Sequence, residues 1–93
     1  MIVGVCQVRL HLPEGHSLKA KRQVLSSLKT RLGQSFNVSV AEVGDHDLWQ
    51  HAILGIACVA NETRHVNAVL DQVLNVIRSN PHLELLESHI ELL

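Results

Sequence analysis

The sequence predicts an α+β sandwich of the ferredoxin-like class, with elements in the order β-α-β-β-α-β, a four-stranded antiparallel sheet and two helices on one face. Three observations carry this expectation. Period-two alternation runs through residues 2–12, 36–44 and 82–93, helical spacing of apolar residues runs through 17–32 and 62–79, and residues 50–60 are almost wholly apolar. The second and third strand-like runs are joined by a short link, which favours an antiparallel hairpin. Right-handed crossovers then place the first and third strands at the centre, the fourth beside the first and the second beside the third. No linker, repeat or low-complexity run divides the chain, so residues 1–93 are expected to form one domain.

Along the first strand, Ile2, Gly4, Cys6, Val8, Leu10 and Leu12 share one face and Val3, Val5, Gln7, Arg9 and His11 the other. Pro13-Glu14-Gly15 ends it, because proline removes a ladder donor and glycine eases the turn. Ser17 is placed to cap a helix whose apolar stripe is Leu18, Val24, Leu25, Leu28 and Leu32, and Gly33 is placed to close it in the left-handed conformation. At about 100° per residue Lys21 falls inside that stripe. Its ammonium must either snorkel past the sheet edge or be held as a fixed charge beside the strand ends.

Phe36-Asn37-Val38-Ser39-Val40 alternates again towards Val43-Gly44, Asp45-His46-Asp47 reads as a turn, and the third strand has apolar residues on both faces, which predicts burial of both. Asn61 is the expected cap of a second helix from about Glu62 to Ser79, with Val66, Val69, Leu70, Val73, Leu74, Val76 and Ile77 as its apolar face. Asn80-Pro81 stops it. In the last strand Leu85 and Leu86 break the phase set by Glu87, His89 and Glu91, and a bulge there would restore it.

Composition bears on assembly. The hydrophobic fraction is 46% and the charged fraction 18%, below the roughly 25% usual for soluble domains, so apolar surface is expected to be left for a partner. Val3, Val5, Ile53, Gly55, Ala57 and Val59 would lie on the sheet face away from the helices, where a wet antiparallel sheet should show polar residues. The expectation is a homodimer through that face, with Gly55 and Ala57 allowing close approach. Cys6 and Cys58 sit far apart in apolar runs and read as packed thiols. The opening residues lack a basic stretch and a cleavage site, and no apolar run reaches the ~18 residues that span a bilayer, so a cytoplasmic location without membrane contact is expected.

Charge is segregated rather than large. Residues 19–31 hold five basic residues and no acid, while the rest of the chain holds three basic residues and nine acids, for a net charge of −1. Lys19, Lys21, Arg22, Lys29 and Arg31 are therefore candidates for phosphate contact, although a solvated helix flank would look the same. Base stacking on the sheet needs aromatic side chains, and the chain has only Phe36 and Trp49, neither in a central strand. Any RNA contact is thus expected on the helix side or at an edge. Trp49 in its loop is either an interface anchor or a lid over the core.

Asp45, His46, Asp47 and His51 are the densest group of metal-ligand types, but their spacing matches no metal signature, and no metal or cofactor is expected. Glu42, Asp45 and Asp47 have the chemistry of acid-base groups without a nucleophile or a phosphate-binding glycine loop beside them, which weighs against an enzyme without deciding it.

The segments Leu18-Lys19-Ala20-Lys21-Arg22, Arg31, Phe36-Asn37-Val38-Ser39-Val40-Ala41-Glu42-Val43 and Asp47-Leu48-Trp49-Gln50 resemble the signature of the small bacterial YlxP-like family of uncharacterised proteins, over the whole chain. The resemblance implies a ferredoxin-like fold. It also implies a connection with RNA or the ribosome, since genes of the family often lie beside those for translation initiation and ribosome maturation factors. No catalytic residue or cofactor carries over, and Ser39, Glu42 and Trp49 join the lysines and Arg22 as motif positions without a role. The leading functional expectation is a non-enzymatic accessory protein that touches RNA or a ribosomal surface through the first helix. The alternative is a small-molecule-binding regulatory module of the ACT-like kind, acting as a dimer.

Overall fold

A computed structural model describes residues 1–93. The elements follow the expected order, β1 (Ile2–His11), α1 (Leu18–Ser35), β2 (Val38–Gly44), β3 (His51–Ala60), α2 (Thr63–Arg78) and β4 (Glu84–Leu92). The strands form one antiparallel sheet in the spatial order β2-β3-β1-β4, the ferredoxin-like arrangement. α1 packs on the β2 side, whereas α2 covers β1, β3 and β4.

Alternation sets the core. Cys6, Val8, Leu10 and Leu12 of the first segment and Ala52, Leu54, Ile56 and Cys58 of β3 are buried under the helices, and they join Leu25, Leu28 and Leu32 of α1 and Val66, Leu70, Val73 and Ile77 of α2 in one continuous cluster. Gly4 faces Val66 and Leu70 of α2, and a side chain there would run into Val66 Cγ1. Both cysteines are free and buried, and they point to the same side of the sheet; Gly4 pairs with Cys58 and Cys6 with Ile56, so the thiols are offset diagonally rather than opposed.

Helix ends differ from expectation in two places. Ser17 caps α1 as expected, its hydroxyl accepting from the Ala20 N–H at 3.0 Å. Gly33 does not close the helix, because α1 continues through Ser35 and no glycine adopts a positive φ. The chain leaves α1 at Phe36, whose extended backbone still donates to the Leu32 carbonyl at 2.9 Å and whose ring packs on the core, so no left-handed residue is needed. Asn61 does not cap α2. The cap is Glu62, with an extended backbone and no side-chain hydrogen bond, and its carbonyl accepts from Val66 N at 3.2 Å.

β4 has the irregularity that its sequence requires. Arg9 pairs with Glu87 and Leu10 with Leu85, leaving Leu86 as the extra residue, which returns Leu85 to the core side and leaves Leu86 exposed. A second register shift, between Glu42 and Gly44 of β2, occurs just before the β2–β3 loop.

The other face of the sheet is covered by no element of this chain. Val3, Val5, Ile53, Gly55 and Ala57 are half-buried there and Val59 is exposed, so within one copy β3 is fully buried on its helix side only.

Candidate functional site

The apolar stripe of α1 is interrupted by Lys21, and the fold answers this by wrapping the end of the β2–β3 hairpin around its ammonium. Lys21 is 1% exposed. Its Nζ donates to the main-chain carbonyls of Asp45 at 2.6 Å and Leu48 at 2.8 Å, and Glu42 Oε2 lies 2.8 Å away. The carboxylate is an ion-pair partner whose angle falls short of a hydrogen bond. A buried ammonium is tolerated only when paired and hydrogen-bonded, and three oxygens from one hairpin meet that requirement.

The loop is shaped to supply them. Asp45 takes a left-handed backbone, φ 57°, which aspartate tolerates better than most residues, and its carbonyl also accepts from Leu48 N–H at 3.1 Å. His46 Nε2 lies 3.1 Å from the Glu42 carbonyl. On the far side of the loop Leu12 N–H donates to the Gln50 carbonyl at 2.8 Å, and Gly15 packs so closely on the Trp49 carbonyl that a Cβ there would collide with it. The backbone before, at and after Trp49 is thereby pinned, while its side chain is 54% exposed, beside an exposed Leu48. Trp49 is therefore not a lid closed over the core.

These contacts correct one expectation. Lys21 is not free for the phosphate contact that its place in the basic segment suggests: its three donors face the hairpin and none reaches solvent, so it positions the loop instead. Lys19, Arg22, Lys29 and Arg31 are all exposed, and none makes an ion pair. At about 100° per residue Lys19, Arg22 and Lys29 fall within about 80° of one another and Arg31 projects from the opposite flank. Ten residues at ~1.5 Å each spread that strip over ~15 Å.

Of the other motif positions, Glu42 is the partner of Lys21, and Ser39 lies on the open sheet face, opposite Ala57 of β3. That face has a depression of about 420 Å³, floored by Ala41, Gly55 and Ala57 and bordered by Val5, Val43 and His89. At one end of the sheet the rings of His11 and His51 lie 5.3 Å apart, and His11 Nδ1 is 3.2 Å from Glu84 Oε1. No three His, Cys, Asp or Glu side chains converge in a metal-binding group. Burial pushes the Cys6 thiol above its usual pKa, an effect partly opposed by a backbone hydrogen bond from His89.

Sequence reasoning found the problem posed by Lys21 but not its solution. Two of the three partners are main-chain carbonyls, which any residue type could supply, and Glu42 carries a sequence signal only as a motif position and an acid-base candidate, neither of which points to Lys21. The same holds for Gly15, whose packing against the Trp49 backbone has no local signal.

No helix is long and apolar enough to cross a membrane. A family model described as "Protein of unknown function (DUF503)" matches residues 3–90. The chain is also similar to the uncharacterized protein YlxP of Bacillus subtilis (strain 168), with 36% identity over 83 residues, 89% of this chain and 90% of that protein. With nearly the whole fold matched, from β1 into β4, and YlxP similar over almost the same length, the chain belongs to the DUF503 family of proteins of unknown function.

Proposed function

We propose that this protein is a non-enzymatic accessory factor that contacts structured RNA, on a ribosomal surface, through the exposed flank of α1. The observation that carries this reading is the set of Lys19, Arg22 and Lys29, exposed, without ion-pair partners, and aligned on a helix that contains no acid. Cations left free of protein partners retain their charge for phosphate oxygens, and each phosphate neutralised releases condensed counterions. The sheet is a poor RNA platform, having no Phe, Tyr or Trp on its open face to stack on a base and only the imidazoles of His11, His51 and His89 along one end and one margin. The test is co-sedimentation with ribosomal subunits and binding to ribosomal RNA fragments at about 50 and 200 mM salt. Association at the lower salt that weakens steeply at the higher supports the reading, and absence of co-migration and of RNA binding at low salt ends it.

A second reading, an ACT-like module that binds a small molecule, has the depression on the open sheet face in its favour. Its floor is apolar, and Ser39, Gln7, His89 and Glu91 bring polar groups to its margin. A ligand-induced rise in melting temperature, screened over amino acids and nucleotides, separates this reading from the first.

A further inference from the structure

The open face of the sheet is divided by character. Rows across it run Ser39–Ala57–Val5–Glu91 and Ala41–Gly55–Gln7–His89, with Ile53, Arg9 and Glu87 in the next. Apart from Ser39 and, at one end, His51, the β2 and β3 part together with Val3 and Val5 of β1 is apolar, while charged and polar residues collect along β4 and the Gln7–His11 stretch of β1. There Arg9 Nε is 3.0 Å from Glu87 Oε2, an internal pair that leaves no lone cation on the face. Within the apolar part, Gly55 and Ala57 form the floor of a trough bordered by Val43, and Val59 follows Ala57 along the same face of β3; the two valines are 51% and 49% exposed.

We propose that this face is an interface between two copies of the chain, packed sheet to sheet about a twofold axis, with the exposed valines of each copy filling the trough of the other. Knob and trough on a single surface are what an isologous contact requires, because each copy then supplies what its partner lacks. An apolar centre without charge, bordered on one side by residues of both signs, is the usual anatomy of such a contact, and with the unpaired Glu91 of β4 left at the solvated rim the apolar parts of two faces can meet without burying a lone charge. Size agrees as well. Strands of 10, 7, 10 and 9 residues make up the face. At ~3.4 Å per residue and ~4.8 Å between strands they project about 450 to 650 Å². The accessible area of a pleated surface exceeds its projection, which brings it to the ~600 Å² per partner where stable interfaces begin. This inference does not depend on RNA binding by α1, which lies on the opposite side of the sheet.

The experiment is light scattering or sedimentation equilibrium on the full chain at about 100 μM, above the micromolar range in which such an interface should hold. The expected mass is twice the 10.3 kDa of one chain. Val43→Lys and Ile53→Lys should both shift the protein to monomer, with association weakened at least tenfold, and Gln72→Lys on the exposed side of α2 should leave the dimer intact. Val43 is already half-exposed on an edge strand, so its lysine variant should remain folded by circular dichroism even if Ile53→Lys does not. A monomeric parent at 100 μM overturns the proposal, including one whose melting temperature rises with a small molecule bound in the trough. So does a Val43→Lys variant that stays folded and dimeric.

Discussion

Lys21 Nζ and Glu42 Oε2 lie 2.8 Å apart, with the lysine 1% and the glutamate 21% exposed, and the pair couples the first turn of α1 to the end of β2. Because the same ammonium holds the Asp45 and Leu48 carbonyls, the contact fixes the loop on which Trp49 is displayed.

Replacing Lys21 by Met should be costly even though the apolar stem is kept. It leaves a mostly buried carboxylate and two loop carbonyls without their donor, a loss of about 3 kcal/mol by comparison with other broken buried pairs. Glu42→Gln keeps both carbonyl bonds but leaves the buried ammonium without a counter-charge, and should cost about 1–2 kcal/mol, less than Lys21→Met. Urea denaturation of the two variants measures the difference. Equal stability of Lys21→Met and the parent would refute the anchoring role.

Two glycines should respond to alanine in opposite directions. Gly33 lies inside α1 with open space where a Cβ would go, so Gly33→Ala should stabilise by about 0.5–1 kcal/mol through helix propensity and a less flexible unfolded chain. Gly15→Ala places a Cβ against the Trp49 main chain and should destabilise by about 1–3 kcal/mol. It should also change the fluorescence of Trp49, the only tryptophan. Thermal melts and emission spectra of both variants check the pair.

Cys6 retains its proton more tightly in the fold than in the unfolded chain, because burial disfavours the thiolate. For an acid whose pKa is raised by folding, the contribution to stability is complete below the unfolded value, near 8.5, and declines as pH climbs above it. Stability of the parent should therefore fall between about pH 8.5 and 10 more than that of Cys6→Ala. At pH 8 a thiol reagent should leave both buried cysteines unreacted in the native protein and modify both in denaturant.

If α1 binds RNA, removal of a charge should appear in the salt dependence rather than in stability. Three phosphate contacts give a slope of log K against log salt of about −2 to −3, and Arg22→Gln or Lys29→Gln should each reduce its magnitude by about 0.7 to 0.9. Arg31→Gln, on the opposite flank of the helix, should change it little. Equal effects at all three positions would point to diffuse attraction in place of an aligned contact.

The order of elements, the strand order and most of the core follow from the pattern of residue types along the chain. These rest on short-range periodicity: alternation places Cys6, Val8 and Leu10 on one face of β1, and the broken phase at Leu85-Leu86 requires the bulge that the structure contains. Handedness rules then leave few topologies. The same pattern makes α1 basic and places Lys21 on its apolar stripe, where a partner is required. The identity of that partner is visible only once the chain is folded, which takes Lys21 out of the phosphate candidates and gives it Glu42 and the Asp45 and Leu48 carbonyls across 21, 24 and 27 residues of sequence. Main-chain carbonyls carry no side-chain signature, and the register shift between Glu42 and Gly44 helps set where the hairpin ends relative to the helix. The end of α1 was settled in the same way, since the packing of Phe36 on the core carries the helix beyond Gly33, where local propensity would have stopped it.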